Sequence, residues 1–114
     1  MAGLNIKQRQ AGDVAILDLD GEVRMGESAG VLRSAIRGLV ASGSTKILLN
    51  LAGVKYIDSS GIGELIANYT TVGREGQLKL LNLTKKVQDL LVITKLLTVF
   101  DVYDNEAEAL SSFK

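Results

Sequence analysis

The stretch from Lys46 to Gly73, KILLNLAGVKYIDSSGIGELIANYTTVG, limits what this chain can become more than any other. Ile47 to Leu49 and Leu51 form an apolar run broken only by Asn50. Half-exposed strands alternate, whereas a run this continuous suits a strand covered on both faces. It reads as a central strand. Gly53 signals a turn, and a short segment with Val54, Tyr56 and Ile57 leads to Asp58. From there Ile62, Leu65, Ile66, Tyr69 and Val72 recur at the offsets of one helical face.

Asp58-Ser59-Ser60-Gly61-Ile62-Gly63 therefore marks a helix entrance, where the first backbone N–H groups have no intrahelical partner. Two readings of these residues stay open. Asp58 or one of the serines is an N-cap, worth ~1 kcal/mol. Alternatively one serine is a switch, because a phosphate placed there would meet free N–H groups and the positive end of the helix dipole. Gly61 and Gly63 are expected to keep the approach open.

Elsewhere the same patterns repeat. Leu4 and Ile6 alternate with polar residues, and Ala11-Gly12-Asp13 is a turn before Val14 to Leu19, so the chain opens on a β-hairpin. Gly21 to Gly26 reads as a polar loop. Leu32, Ala35, Ile36, Leu39 and Val40 share one face of a helix over 27–41, with Arg33 and Arg37 on a solvated face. Leu78 to Leu83 reads as a second buried strand, and Thr84 caps a helix reaching about Leu97 with Val87, Leu90, Leu91 and Thr94 inward. Val99 to Tyr103 is a short last strand, and Asn105 with Glu108 opens a terminal helix through a capping-box-like pair. The sum is β-β-α-β-α-β-α-β-α: an α/β domain with a small mixed, mainly parallel sheet of four to five strands and about four helices. Sites in such sheets gather beyond the carboxyl ends of strands. The Gly21 to Gly26 loop, the Asp58 to Gly63 turn and the Leu83-Thr84-Lys85 turn all fall there.

Composition narrows the chemistry. The 114 residues fit one domain, 1–114. Thirteen basic residues balance thirteen acidic ones, which removes the long-range field that a nucleic-acid or anionic-membrane binder uses. With no histidine there is no imidazole base, catalytic triad or histidine metal ligand, and with no cysteine no thiolate chemistry. No run approaches the ~20 apolar residues of a membrane span, and Met1-Ala2-Gly3-Leu4-Asn5 does not open a signal peptide. A soluble cytoplasmic protein without cofactor, nucleic-acid or membrane partner is expected.

Leu19-Asp20-Gly21-Glu22-Val23, Leu49-Asn50-Leu51 with Val54, Tyr56 and Ile57, the turn Asp58 to Gly63, Leu80-Leu81-Asn82, and Val99 to Tyr103 before Glu106 to Leu110 run in this order along nearly the whole chain. In this arrangement the sequence resembles a STAS domain of the bacterial anti-sigma factor antagonist type. The resemblance implies a partner switch. In that family the serine after the aspartate is phosphorylated by an anti-sigma factor that is itself a serine kinase of the GHKL ATPase type. A metal-dependent serine phosphatase restores it. By position the phosphoacceptor is Ser59, with Ser60 as second candidate, and the partner surface comprises Asp58, Ser59, Ser60, Gly61, Ile62, Gly63, Glu22, Arg24 and Met25. The unphosphorylated protein binds the anti-sigma factor and frees the sigma factor; the phosphorylated one lets go.

One position departs from the pattern: many relatives are acidic where this chain has Arg24. Arg24 is expected to reach the Ser59 region, pairing with Asp58 before phosphorylation or with the phosphate after it. Two other functions remain. One is a STAS docking subunit of a signalling or lipid-transport complex without a phosphorylation switch. The other is a small enzyme or nucleotide binder with Ser59 or Asp58 as nucleophile. It would need Lys55, Lys85 or a carboxylate as base, and no Walker-type or GxGxxG loop is present.

Overall fold

A computed structural model describes residues 3–113. Met1 and Ala2, which begin the segment read as unlike a signal peptide, and Lys114 lie outside the described residues. The elements follow the expected order: β1 (Leu4–Ala11), β2 (Val14–Val23), α1 (Glu27–Ala41), β3 (Lys46–Ile57), α2 (Ser59–Gly73), β4 (Gln77–Leu81), α3 (Lys85–Ile93), β5 (Val102–Tyr103) and α4 (Glu106–Ser112). They form one sheet in the order β1-β2-β3-β4-β5, with β1 antiparallel to β2 and the other pairs parallel.

Strand order never reverses, so the crossovers advance in one direction and right-handed connections place successive helices on one face. Ala15, Leu17 and Leu19 of β2, Ile47, Leu49 and Leu51 of β3, and Leu78 and Leu80 of β4 meet Leu32 and Ile36 of α1, Leu65 and Val72 of α2, and Val87 and Leu91 of α3 there. Each fully buried leucine contributes about 1.5–3 kcal/mol through lost water contact. The alternate residues Val14, Ile16, Leu48 and Leu81 point to the other face and meet Ala109 of α4, with Leu110 and Phe113 beside it. This explains the unbroken apolar run in β3.

The sequence reading needs four corrections here. Gly21 to Val23 belong to β2 and are not loop, and β3 runs unbroken to Ile57 through Gly53, which was read as a turn. The register slips between Asp18 and Asp20 and again between Gly21 and Glu22. These bulges reset the alternation, so that Leu51, Val54 and Ile57, three residues apart, all face the core. A side chain at Gly53 would press on the Leu19 carbonyl, 2.7 Å from an added Cβ. The second correction is at α3, which stops at Ile93 because Lys95 takes a left-handed φ of 63° and the amide of Leu96 closes on the Leu91 carbonyl at 2.8 Å. Thr94 is consequently exposed, its hydroxyl on the Leu90 carbonyl.

Third, β4 ends at Leu81, where Asn82 turns left-handed at φ 56°. Fourth, Val99 and Phe100 precede β5: Phe100 is buried edge-on against Tyr69, with ring centroids 5.1 Å apart.

α4 is fastened to its face by charge as well as by apolar contact. Arg9 of β1 donates to Asp18 at 2.6 Å and to Glu106 at 2.6 Å. The Lys79 amine, nearly buried in β4, donates to the Ser112 hydroxyl and carbonyl, with the Phe113 ring 5.0 Å away.

Candidate functional site

The carboxyl ends of β2 and β3 deliver two adjacent features, the Arg24–Gly26 loop and the start of α2. Asp58 joins them. It is the N-cap of α2: one carboxylate oxygen accepts from the Gly61 amide at 2.8 Å, and the other from the Met25 amide at 3.2 Å. Burial pushes the Asp58 carboxyl up, but the amides of Gly61, Met25 and Ser60, together with the charge of Arg24, outweigh it and hold it below its ordinary value.

Asp58 therefore does the capping, and the serines do not. Both Ser59 and Ser60 are exposed, and among the described residues neither hydroxyl has a hydrogen-bond partner. The expectation of free N–H groups for a phosphate is narrowed: the amides of Ser60, Gly61 and Ile62 turn to Asp58, and that of Ser59 is left without a partner among the described residues. An anion on Ser59 would meet one backbone amide, and any further counter-charge must come from side chains.

The residues read as a partner surface separate by exposure. Met25 is 76% exposed, and Gly63 is exposed with nothing within 4 Å of an added Cβ. Gly61 and Ile62 are buried. Gly61 does not hold an approach open: a Cβ there would run into the Val23 carbonyl and come within 2.6 Å of Ile57 Cγ1. It lets α2 start against the end of β2. Glu22 is mostly covered, and Arg24 pairs with it, Nε to Oε1 2.6 Å, without hydrogen-bond alignment. The Arg24 guanidinium also lies 4.2 Å from the centre of the Tyr56 ring. No direct Arg24–Asp58 pair forms, so that expectation is corrected: the nearer carboxylate and the ring hold the side chain.

A groove of about 500 Å³ opens beside Ser59, walled by Tyr56, Ile57 and Asp58 on one side and Lys86, Asp89, Leu90 and Ile93 of α3 on the other. Thr84 sets α3 in place, accepting from the Val87 amide at 3.4 Å and donating to the Val54 carbonyl at 3.1 Å. Ile93 is 75% exposed, so Ser59 shares its groove with an apolar side chain presented to solvent. Met25, whose amide meets Asp58, is exposed nearby in the other loop at this edge. Both are features of a protein contact. A larger depression of about 720 Å³, lined by Asn82, Tyr103, Asp104 and Glu108 among others, holds none of the predicted site residues. Lys86 and Ile93 were absent from the sequence reading. The one available signal was Val92-Ile93, two apolar residues off the inward face of α3.

Below the site, Glu64 of α2 is nearly buried and accepts a two-pronged contact from Arg33 of α1, at 2.7 and 3.2 Å, and one from Asn68 at 2.9 Å. Arg33 is thus an interhelical tie, not simply part of a solvated face. Arg33 holds the Glu64 carboxyl below its ordinary value; burial opposes this and Asn68 adds to it. A depressed folded value gives stability that is present above the unfolded carboxyl range, ~4.3, and is lost as pH falls through the folded value. Arg33→Ala should lower the urea and thermal midpoints at pH 7, since it strands a nearly buried carboxylate. The gap from the parent chain should shrink below ~pH 4, where Glu64 takes up a proton.

Among the described residues no three acidic side chains gather as a metal site, and no helix is long and apolar enough to cross a membrane. Lys85, weighed above as a base, faces Asp89 at 3.3 Å. The STAS domain family model matches residues 5–109. The chain belongs to the STAS domain family. This STAS domain is similar to the anti-sigma F factor antagonist of Paenibacillus polymyxa, 26% identical over 112 residues that span 97% of this chain and 96% of the relative. Among solved structures, an anti-sigma factor antagonist from Mycobacterium paratuberculosis superposes with a TM-score of 0.86 at 22% identity, covering 97% of this chain and 94% of its own. The Bacillus cell fate determinant SpoIIAA in its phosphorylated form gives 0.71 at 20% identity, with 94% and 97% covered. A sulfate transporter family protein from Wolinella succinogenes gives 0.69 at 17%, with 89% and 84% covered. At these identities the structural likenesses establish the shared STAS fold.

Proposed function

We propose that this STAS domain is an anti-sigma factor antagonist working in a partner switch in the cytoplasm, with Ser59 as the phosphoacceptor and Ser60 as the second choice. The observation that carries the reading is the division of labour at the junction. Asp58 spends both carboxylate oxygens on backbone amides, and the Ser59 hydroxyl is left exposed and unbonded in a groove that also presents Ile93. The similarity to the anti-sigma F factor antagonist supports it. The partner is an anti-sigma factor that is also a GHKL-type serine kinase, and a metal-dependent serine phosphatase resets the switch. On this reading the domain acts by binding, with Ser59 as the substrate of its partner kinase.

The contact surface comprises Asp58, Ser59, Ser60, Gly63, Arg24 and Met25, widened by Ile93; Glu22, Gly61 and Ile62 support it from below. Affinity purification of the Ser59→Ala chain from its own cells tests this. A GHKL-type ATPase held more firmly than by the parent chain is expected. Recovery of a membrane-transport assembly instead, independent of residue 59, would favour the docking-subunit function, for which the fold shared with a sulfate transporter family protein is the support.

A further inference from the structure

We propose that Arg24 and Lys86 form a two-cation clamp mounted on the Tyr56 ring, which receives the phosphate of Ser59. The proposal rests on Ser59 being the phosphoacceptor. Tyr56, near the end of β3, draws a cation from each neighbouring segment: the Arg24 guanidinium carbon lies 4.2 Å from its ring centroid and the Lys86 amine 5.5 Å. Such contacts hold a cation weakly, at ~0.5–1 kcal/mol on an exposed ring. Tyr56, Ser59 and Lys86 wall the same groove.

Lys86 lacks an ion-pair partner among the described residues, and Arg24 makes its ion pair without a hydrogen bond. Lys86 occupies the first turn of α3 directly after Lys85, with no acidic residue in that turn. A cation there opposes the helix dipole. Asp89 serves Lys85, and among the described residues Lys86 has no carboxylate partner. Arg24 faces Glu22 at 2.6 Å but out of hydrogen-bond alignment, and Glu22 Oε1 is itself buried without a donor. The charge of Arg24 is felt at Asp58, next to Ser59.

The backbone, for its part, offers the phosphate little. Of the first amides of α2, those of Ser60, Gly61 and Ile62 are taken by Asp58, and only that of Ser59 is left. A phosphoserine brings about −1.5 to −2 charges and three acceptor oxygens. Arg24 and Lys86 are the cations placed to meet them, through charge-assisted hydrogen bonds that Tyr56 pre-positions. The clamp would fold the phosphate back over Tyr56 and withdraw both cations from the partner.

The test is a ³¹P NMR pH titration of the full chain carrying phosphoserine installed genetically at position 59, compared with Arg24→Gln, Lys86→Gln and the double substitution. Asp58, Asp89 and Lys85 are common to all four proteins; Glu22 loses its Arg24 partner in two of them, so Lys86→Gln is the comparison that isolates a single cation. The expected midpoint lies at least about half a unit lower in the parent than in the double variant, with the single variants between. Superimposable curves overturn the clamp, as does a low midpoint that survives the double substitution. Both replaced residues are exposed, so circular dichroism spectra should coincide. Because no kinase is involved, failure here leaves Ser59 as phosphoacceptor. An unmodified Ser59 in cells would sink that reading and leave this titration readable.

Discussion

Phosphate on Ser59 is expected to weaken the complex with the anti-sigma factor about a hundredfold. A phosphoserine adds close to two negative charges at pH 7. It adds them beside Asp58, a carboxylate that backbone amides keep ionised, and within a contact where Met25 and Ile93 present apolar surface. Bringing these charges together while removing water costs ~3 kcal/mol, and each 1.4 kcal/mol is a factor of ten in affinity. Calorimetric titration of the purified partner into parent and phosphoserine-59 chains measures the ratio. Ser59→Ala should bind as the unmodified chain does. Equal affinity of the modified and unmodified proteins would remove the electrostatic switch.

The second large effect separates two glycines that look alike in sequence. Gly61→Ala should lower stability by about 2–3 kcal/mol, because its methyl group must displace the Val23 carbonyl or Ile57 where β2 meets α2, and overpacking at such points costs that much. Gly63→Ala should raise stability by up to ~1 kcal/mol: the site is open and lies within the helix, where alanine is the better former. Urea denaturation of the two variants gives both signs. Destabilisation by Gly63→Ala, or none by Gly61→Ala, would contradict the packing described for the junction.

The difference between these glycines also shows where sequence reasoning stopped. Pattern alone placed the strands, helices and helix entrance, because apolar periodicity and the caps at Asp58, Thr84 and Asn105 are local signals. What escaped it depends on contacts between distant segments. The bulges in β3 break the period of two, so Gly53 looked like a turn although Leu51, Val54 and Ile57 all face inward. Arg33 looked solvated because its partner Glu64 is 31 residues away; the polar pair Glu64 and Asn68, one helical turn apart, was the overlooked sign.

At the junction the sequence singles out Asp58 and Ser59 as candidates and cannot apportion their duties. That requires knowing that the Asp58 carboxylate reaches both Gly61 and Met25. Lys86 enters only because Thr84 ties α3 to Val54 and so brings the first turn of α3 to Tyr56.

The most direct measurement is phosphosite mass spectrometry on the protein isolated from its own cells across growth conditions, with co-purifying proteins identified in the same sample. Phosphate on Ser59 in one fraction, and an unmodified Ser59 bound to a GHKL-type kinase in another, is the expected result. An unmodified Ser59 under every condition, in a chain held permanently in one complex, would contradict the switch and leave the Asp58 to Gly63 turn as a docking surface alone.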